Sequence, residues 1–143
     1  MIEQVCDIFS NKCFCITTNG TVKRNDELVM GAGIALKAKI LYPMLPILFG
    51  KHVRSNGNIP CLLKYKDKII ISFPTKDHYS FKSDISIIIN SSIKLVNIAD
   101  ELKLSEIYLP RPGCSNGKLN WYFVKKNICN ILDNRFIVCT YEK

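Results

Sequence analysis

The chain has 143 residues, 48% of them hydrophobic, with seven cysteines and a formal net charge of +8. That length suits one domain with its own core, and a near-neutral mean hydropathy excludes a chain dominated by membrane segments. No apolar run reaches the roughly 18 residues of a membrane span, and no basic segment followed by an apolar one opens the sequence, so neither an anchor nor a leader is expected.

The cysteines, Cys6, Cys13, Cys15, Cys61, Cys114, Cys129 and Cys139, are odd in number, form no C-x-x-C pair and sit mostly in apolar runs. They predict buried, reduced thiols and an intracellular, cytoplasmic setting. Cys13 and Cys15 with His52 or His78 lack the spacing of a zinc site, so no metal is expected. The positive charge favours a polyanionic partner, DNA or RNA included, by long-range steering. Its lysines are scattered rather than gathered in one stripe. A basic nucleic-acid-binding domain is therefore an alternative reading, not the leading one.

In chain order, residues 2–8 predict an edge strand ending at Asp7. Cys13–Thr18, aromatic and β-branched, predicts an interior strand closed by the turn signal Asn19-Gly20. Thr21–Glu27 is polar and expected to be exposed. A short helix is predicted over Ile34–Ile40, and a second helical segment around Met44–Phe49, stopping before Gly50. His52–Asn58 reads as a polar connection. Lys68–Phe73 is continuously apolar, as in a strand covered on both faces. Ser83 is the expected cap of a helix whose apolar residues, Ile85 through Leu102, recur at helical spacing. Strand Glu106–Leu109, helix Trp121–Leu132 and strand Arg135–Thr140 complete the chain. Strands alternating with helices predict an α/β fold with three α/β/α layers around a central sheet.

Two loops carry chemistry. The stretch Leu28–Leu36 reads LVMGAGIAL, and its Gly31-Ala32-Gly33 lets a ligand approach the backbone just before a helix start, where free N–H groups favour phosphate. A second loop, Gly113-Cys114-Ser115-Asn116-Gly117, follows the strand ending at Leu109. Both are expected at the carboxyl ends of strands, where open α/β sheets bind ligands. Together they predict a grip on one phosphate-containing ligand. The first is neither a dinucleotide fingerprint, lacking the third glycine, nor a P-loop, lacking G-K-[ST]. Lys76 is a candidate nucleophile or leaving-group stabiliser, and His78 a candidate general acid–base. Tyr79 or Phe81 is a candidate lid.

Four stretches, Thr17–Gly20, Val29–Ala35, Ser72–Lys76 and Leu109–Trp121, resemble the macro domain family in its divergent phage and antitoxin-like branch. The resemblance implies a mixed central sheet and an ADP-ribose cleft at its rim. It implies that Asp7 reads adenine and that Asn19 lies near the distal ribose. Met30, Gly31, Ala32, Gly33 and Ile34 would form the first diphosphate loop, and Gly113, Cys114, Ser115, Asn116 and Gly117 the second. Lys76 matches a lysine with which antitoxin-like members remove ADP-ribose from thymidine in DNA. Thr21–Leu28 is longer than in that branch. Gly117 stands where another branch places the aspartate of a lysine–aspartate mechanism.

The reading implied is a monomeric ADP-ribose-binding domain spanning 1–143 that hydrolyses ADP-ribose conjugates, with the nucleobase conjugate first. ADP-ribose is its ligand or product, and no cofactor is required. The alternatives are an ADP-ribose 1''-phosphate phosphatase and a non-catalytic ADP-ribose reader.

Overall fold

The structure is a computed structural model that describes residues 1–140; residues 141–143 of the expected unit lie outside the described residues. Strands β1 (Ile2–Val5), β2 (Cys13–Thr18), β3 (Leu62–Tyr65), β4 (Lys68–Pro74), β5 (Ile107–Leu109) and β6 (Phe136–Thr140) join one six-stranded sheet in the order β1-β6-β5-β2-β4-β3. All neighbours pair parallel except β3, which runs antiparallel to β4, so the sheet is mixed. Helices α1 (Gly33–Leu41) and α2 (Leu45–Asn56) cover one face, and α3 (Ile85–Leu102) and α4 (Trp121–Ile128) the other.

The alternation of side chains along β2 shows why both faces must be covered. Phe14 and Ile16 pack with Ala35, Ala38, Leu45 and Phe49 on one side. Cys13 and Cys15 pack with Ile88, Leu95, Val124 and Ile128 on the other. Each buried large apolar side chain contributes about 1.5–3 kcal/mol. The three-layer expectation holds for this reason: a strand apolar on both faces has to be buried from both sides.

β2 is where the topology reverses. The chain leaves it through α1 and α2 to the antiparallel pair β3 and β4 on one side, and α3 then carries it back across to β5 on the other. Parallel pairing of β2 with β4 and β5 puts their carboxyl ends on one rim. Connections that diverge from neighbouring strands leave a crevice there.

Several local expectations change. The helical segment expected to stop before Gly50 continues as α2 to Asn56 and ends at Gly57, whose φ is +88°. Gly50 is tolerated inside it because a Cβ there would strike the Asp26 carbonyl, so its lack of a side chain lets the 21–28 segment dock. That segment is anchored by Leu28 N–H donating to the Pro46 carbonyl at 2.8 Å, and Leu28 is buried. β3 was not expected: it is short, lies on the sheet edge and joins β4 through Lys66-Asp67 rather than an Asn-Gly turn. The cap of α3 is Asp84, not Ser83; its carboxylate accepts from Ser86 N–H at 2.9 Å. α4 ends at Ile128, although Leu132 stays buried below it. Among the described residues, no single helix is long and apolar enough to cross a membrane.

Candidate functional site

A cleft of about 570 Å³ opens on the rim where β2, β4 and β5 end. Its base comes from strand ends, with Thr17 and Thr18 closing β2 and Asn19 following it, Thr75 and Lys76 after β4, and Pro110 and Arg111 after β5. One wall is the first glycine loop, Met30 to Ile34, all of which line the cleft. No side chain caps α1 at Ala32, so the N–H groups of its first turn are left for an anion at this wall. Gly33 has φ +56°, a left-handed conformation that favours glycine.

The opposite wall is the second glycine loop. Gly113, Ser115 and Asn116 line the cleft, whereas Cys114 and Gly117 do not. Gly113 has φ +74°, and a Cβ there would lie 2.8 Å from Ile88 Cδ1. The loop is closed by Lys118 N–H donating to Ser115 O at 3.0 Å and Leu119 N–H to Gly113 O at 2.8 Å. The walls meet: a Cβ on Gly33 would stand 2.6 Å from Asn116 Nδ2.

Asn19 is buried and already committed at both ends of its amide. Nδ2 donates to Val29 O at 2.9 Å, and Oδ1 accepts from Thr21 N–H at 2.9 Å. It thereby ties the 21–28 segment to the first glycine loop. One amide N–H and one oxygen lone pair remain for a ligand. Lys76 is half-buried and lines the cleft, and among the described residues its ammonium makes no salt bridge.

Besides Gly117, three expected residues lie outside the lining. His78 does not line the cleft; its Nδ1 accepts from Ser80 N–H at 3.2 Å, and its ring packs against Tyr79 and Phe81. Asp7 is exposed, outside the lining, and caps a single 3-10 turn by accepting from Phe9 N–H at 3.1 Å. It adjoins the cleft through Phe9, whose ring centroid is 6.0 Å from Nζ of the cleft residue Lys37. Cys114 faces the protein, and burial pushes its thiol up to about 11 despite the opposing pull of Arg111. A thiolate nucleophile is disfavoured there.

Lys37, Thr75 and Arg111 were not singled out from the sequence. Lys37 was findable, since it follows Gly33 by one helical turn and shares its face. Arg111 is held from behind: its guanidinium lies 5.3 Å from the Trp121 ring and 3.7 Å from Glu3. Glu3 also accepts from Trp121 Nε1 at 2.9 Å and Lys125 Nζ at 2.6 Å, contacts that lower its carboxyl pKa. Lys37, Lys76 and Arg111 therefore line the cleft, with no carboxylate lining it among the described residues. Such a surface suits a ligand with more than one negative charge. No group of three or more His, Cys, Asp or Glu among the described residues is placed to hold a metal.

No protein-family model matches the chain. It is 31% identical over 107 residues, 70% of its length, to a DNA ADP-ribosyl glycohydrolase of Mycobacterium tuberculosis. It is 31% identical over 112 residues, 73% of its length, to a DNA ADP-ribosyl glycohydrolase of Thermus aquaticus. These matches cover 30% and 31% of those proteins, so the chain spans under a third of the curated relatives it matches. Among solved structures, the macrodomain of Thermus aquaticus DarG superposes with a TM-score of 0.81 at 25% identity, over 99% of this chain and 97% of that one. The chain belongs to the macrodomain family.

This macrodomain departs from the lysine–aspartate branch at Gly117, and packing accounts for the departure. A Cβ at Gly117 would collide with Ser83 Oγ and lie 2.7 Å from the Gly113 carbonyl. Ser83 is buried under the loop, donates its N–H to Gly117 O at 3.1 Å and, among the described residues, has no partner for its hydroxyl. An aspartate has no room there.

Proposed function

We propose that this macrodomain binds ADP-ribose in the rim cleft and hydrolyses its bond to a nucleobase in DNA. The observation that carries the reading is a cleft spanned by two glycine loops and lined, among the described residues, by three cations without a carboxylate. That the Mycobacterium and Thermus relatives are DNA ADP-ribosyl glycohydrolases supports the nucleobase as leaving group. The diphosphate lies between the first-turn N–H groups of α1 and the Gly113–Gly117 loop. Asp7, beyond Lys37, accepts from the adenine amino group through its unused oxygen. Asn19 offers its remaining N–H and lone pair to the distal ribose.

Lys76 acts at the anomeric carbon. The Lys76 amine attacks C1'' and the bond from C1'' to the base nitrogen breaks with its electron pair going to the base, which takes up the proton that the lysine nitrogen loses. Water then displaces the amine, its proton returning to the lysine as ADP-ribose leaves. Held substrate supplies the rest: fixing C1'' beside Lys76 removes the entropic cost of encounter. His78, outside the cleft, is assigned no step. Both glycine loops and the cations Lys37, Lys76 and Arg111 come from the same chain, which supports a monomeric working unit. The free, buried thiols of Cys13, Cys15, Cys61 and Cys139 support a reducing compartment.

Calorimetric titration with ADP-ribose tests the binding step. A one-to-one isotherm in the micromolar range is expected, and no heat at saturating ligand overturns the reading. Gly117 favours a second reading, a binder without turnover, because the branch aspartate is absent. Release of ADP-ribose from an ADP-ribosylated oligonucleotide separates the two.

A further inference from the structure

The loop that follows Lys76 carries a surface the cleft does not account for. Its rings gather at the lip: His78 and Tyr79 centroids are 4.5 Å apart at 31°, and His78 and Phe81 5.1 Å apart at 43°. Tyr79 itself lines the cleft, and Tyr79 and Phe81 are 53% and 59% exposed. Contiguous aromatic surface left in water beside a binding site marks a partner rather than a core.

The loop is ordered by its own hydrogen bonds. Tyr79 N–H donates to Thr21 Oγ1 at 3.0 Å, Phe81 N–H to His78 O at 3.0 Å, and Gly20 N–H to Asp77 O at 3.1 Å. The surface is therefore built before a partner arrives, and binding need not pay again for arranging it.

Charge narrows the partner. Lys82 follows Phe81, and its neighbour Ser83 donates its N–H to the carbonyl of Gly117, the neighbour of Lys118. The two acids of the loop are engaged elsewhere. Asp77 accepts from Asn58 Nδ2 at 3.0 Å, and Asp84 caps α3.

We propose that His78, Tyr79 and Phe81 form a platform that stacks an unpaired nucleobase next to the modified nucleotide, with Lys82 and Lys118 meeting the backbone phosphates. The partner is a single strand, because a duplex keeps its base faces stacked on one another while a single strand offers them to aromatic rings. The inference rests on the nucleobase-linked reading of the cleft and adds contact with the flanking nucleotide to it.

The test uses a short fluorescent single strand, unmodified, and the duplex of the same sequence. Binding is followed by anisotropy at low salt, and ADP-ribose binding by calorimetry on the same proteins. The single strand is expected to bind more tightly than the duplex. Phe81→Ala should weaken single-strand binding about tenfold, the loss of one stacked base, and Phe81→Trp should restore it. Both variants should bind ADP-ribose as the parent does, since Phe81 lies outside the cleft. Equal single-strand affinity of Phe81→Ala and the parent overturns the platform. Phe81-dependent strand binding without ADP-ribose heat would instead keep the platform and remove the cleft's assignment.

Discussion

Gly33 and Asn116, on separate glycine loops, close on each other across the cleft so tightly that a Cβ on Gly33 would stand 2.6 Å from Asn116 Nδ2. The contact sets the distance between the walls. Gly33→Ala places a side chain in a left-handed conformation, at a cost of about 1–2 kcal/mol, and pushes Asn116 outward. Thermal unfolding should register that loss, and ADP-ribose affinity should fall about tenfold or more. Adding Asn116→Ala should recover part of the affinity and none of the dihedral cost, and a double-mutant cycle measures the difference.

Lys76 bears on chemistry more than on binding. Lys76→Ala should leave ADP-ribose affinity within a few-fold of the parent and lower turnover of an ADP-ribosylated oligonucleotide by about a hundredfold or more. Lys76→Arg should not rescue it, because a guanidinium keeps its charge but cannot act as a nucleophile at neutral pH. Turnover by Lys76→Ala at the parent rate would remove Lys76 from the reaction.

Beneath the second loop, Gly117 and Ser83 make opposite predictions. Gly117→Asp forces a carboxylate against Ser83 and the Gly113 carbonyl, so unfolding stability should fall by about 2 kcal/mol or more, with no new lysine–aspartate activity. Ser83→Ala removes a buried hydroxyl that has no partner and should stabilise the fold by about 1 kcal/mol. Urea denaturation reads both.

Cysteine reactivity follows burial. With its pKa pushed up to about 11, Cys114 stays a neutral thiol through the physiological range, and its thiolate grows only as pH approaches that value. Alkylation at pH 8 followed by peptide mass spectrometry should label the exposed Cys129 well before Cys114. Cys114→Ser should retain turnover, and its loss would show that the thiol takes part.

The docking of the 21–28 segment predicts a stability effect far from the cleft. Gly50→Ala drives a methyl into the Asp26 carbonyl and should cost about 1–3 kcal/mol despite alanine's better helix propensity. An increase in melting temperature would show that the segment yields freely.

Periodicity and turn residues alone determined much of this macrodomain: the interior strands, the long α3 helix, and the two glycine loops. These are local signals, and a strand apolar on both faces can only be buried between helices. The four motif stretches, taken in order, carried the family. The tertiary structure decided what depends on neighbours distant in sequence. α2 runs through Gly50 because the Asp26 carbonyl packs there, β3 exists because β4 offers it an edge, and Gly117 has no side chain because Ser83 fills its place. It also separated His78 from Lys76: two residues along a loop can share a motif, yet only one of them faces the cleft.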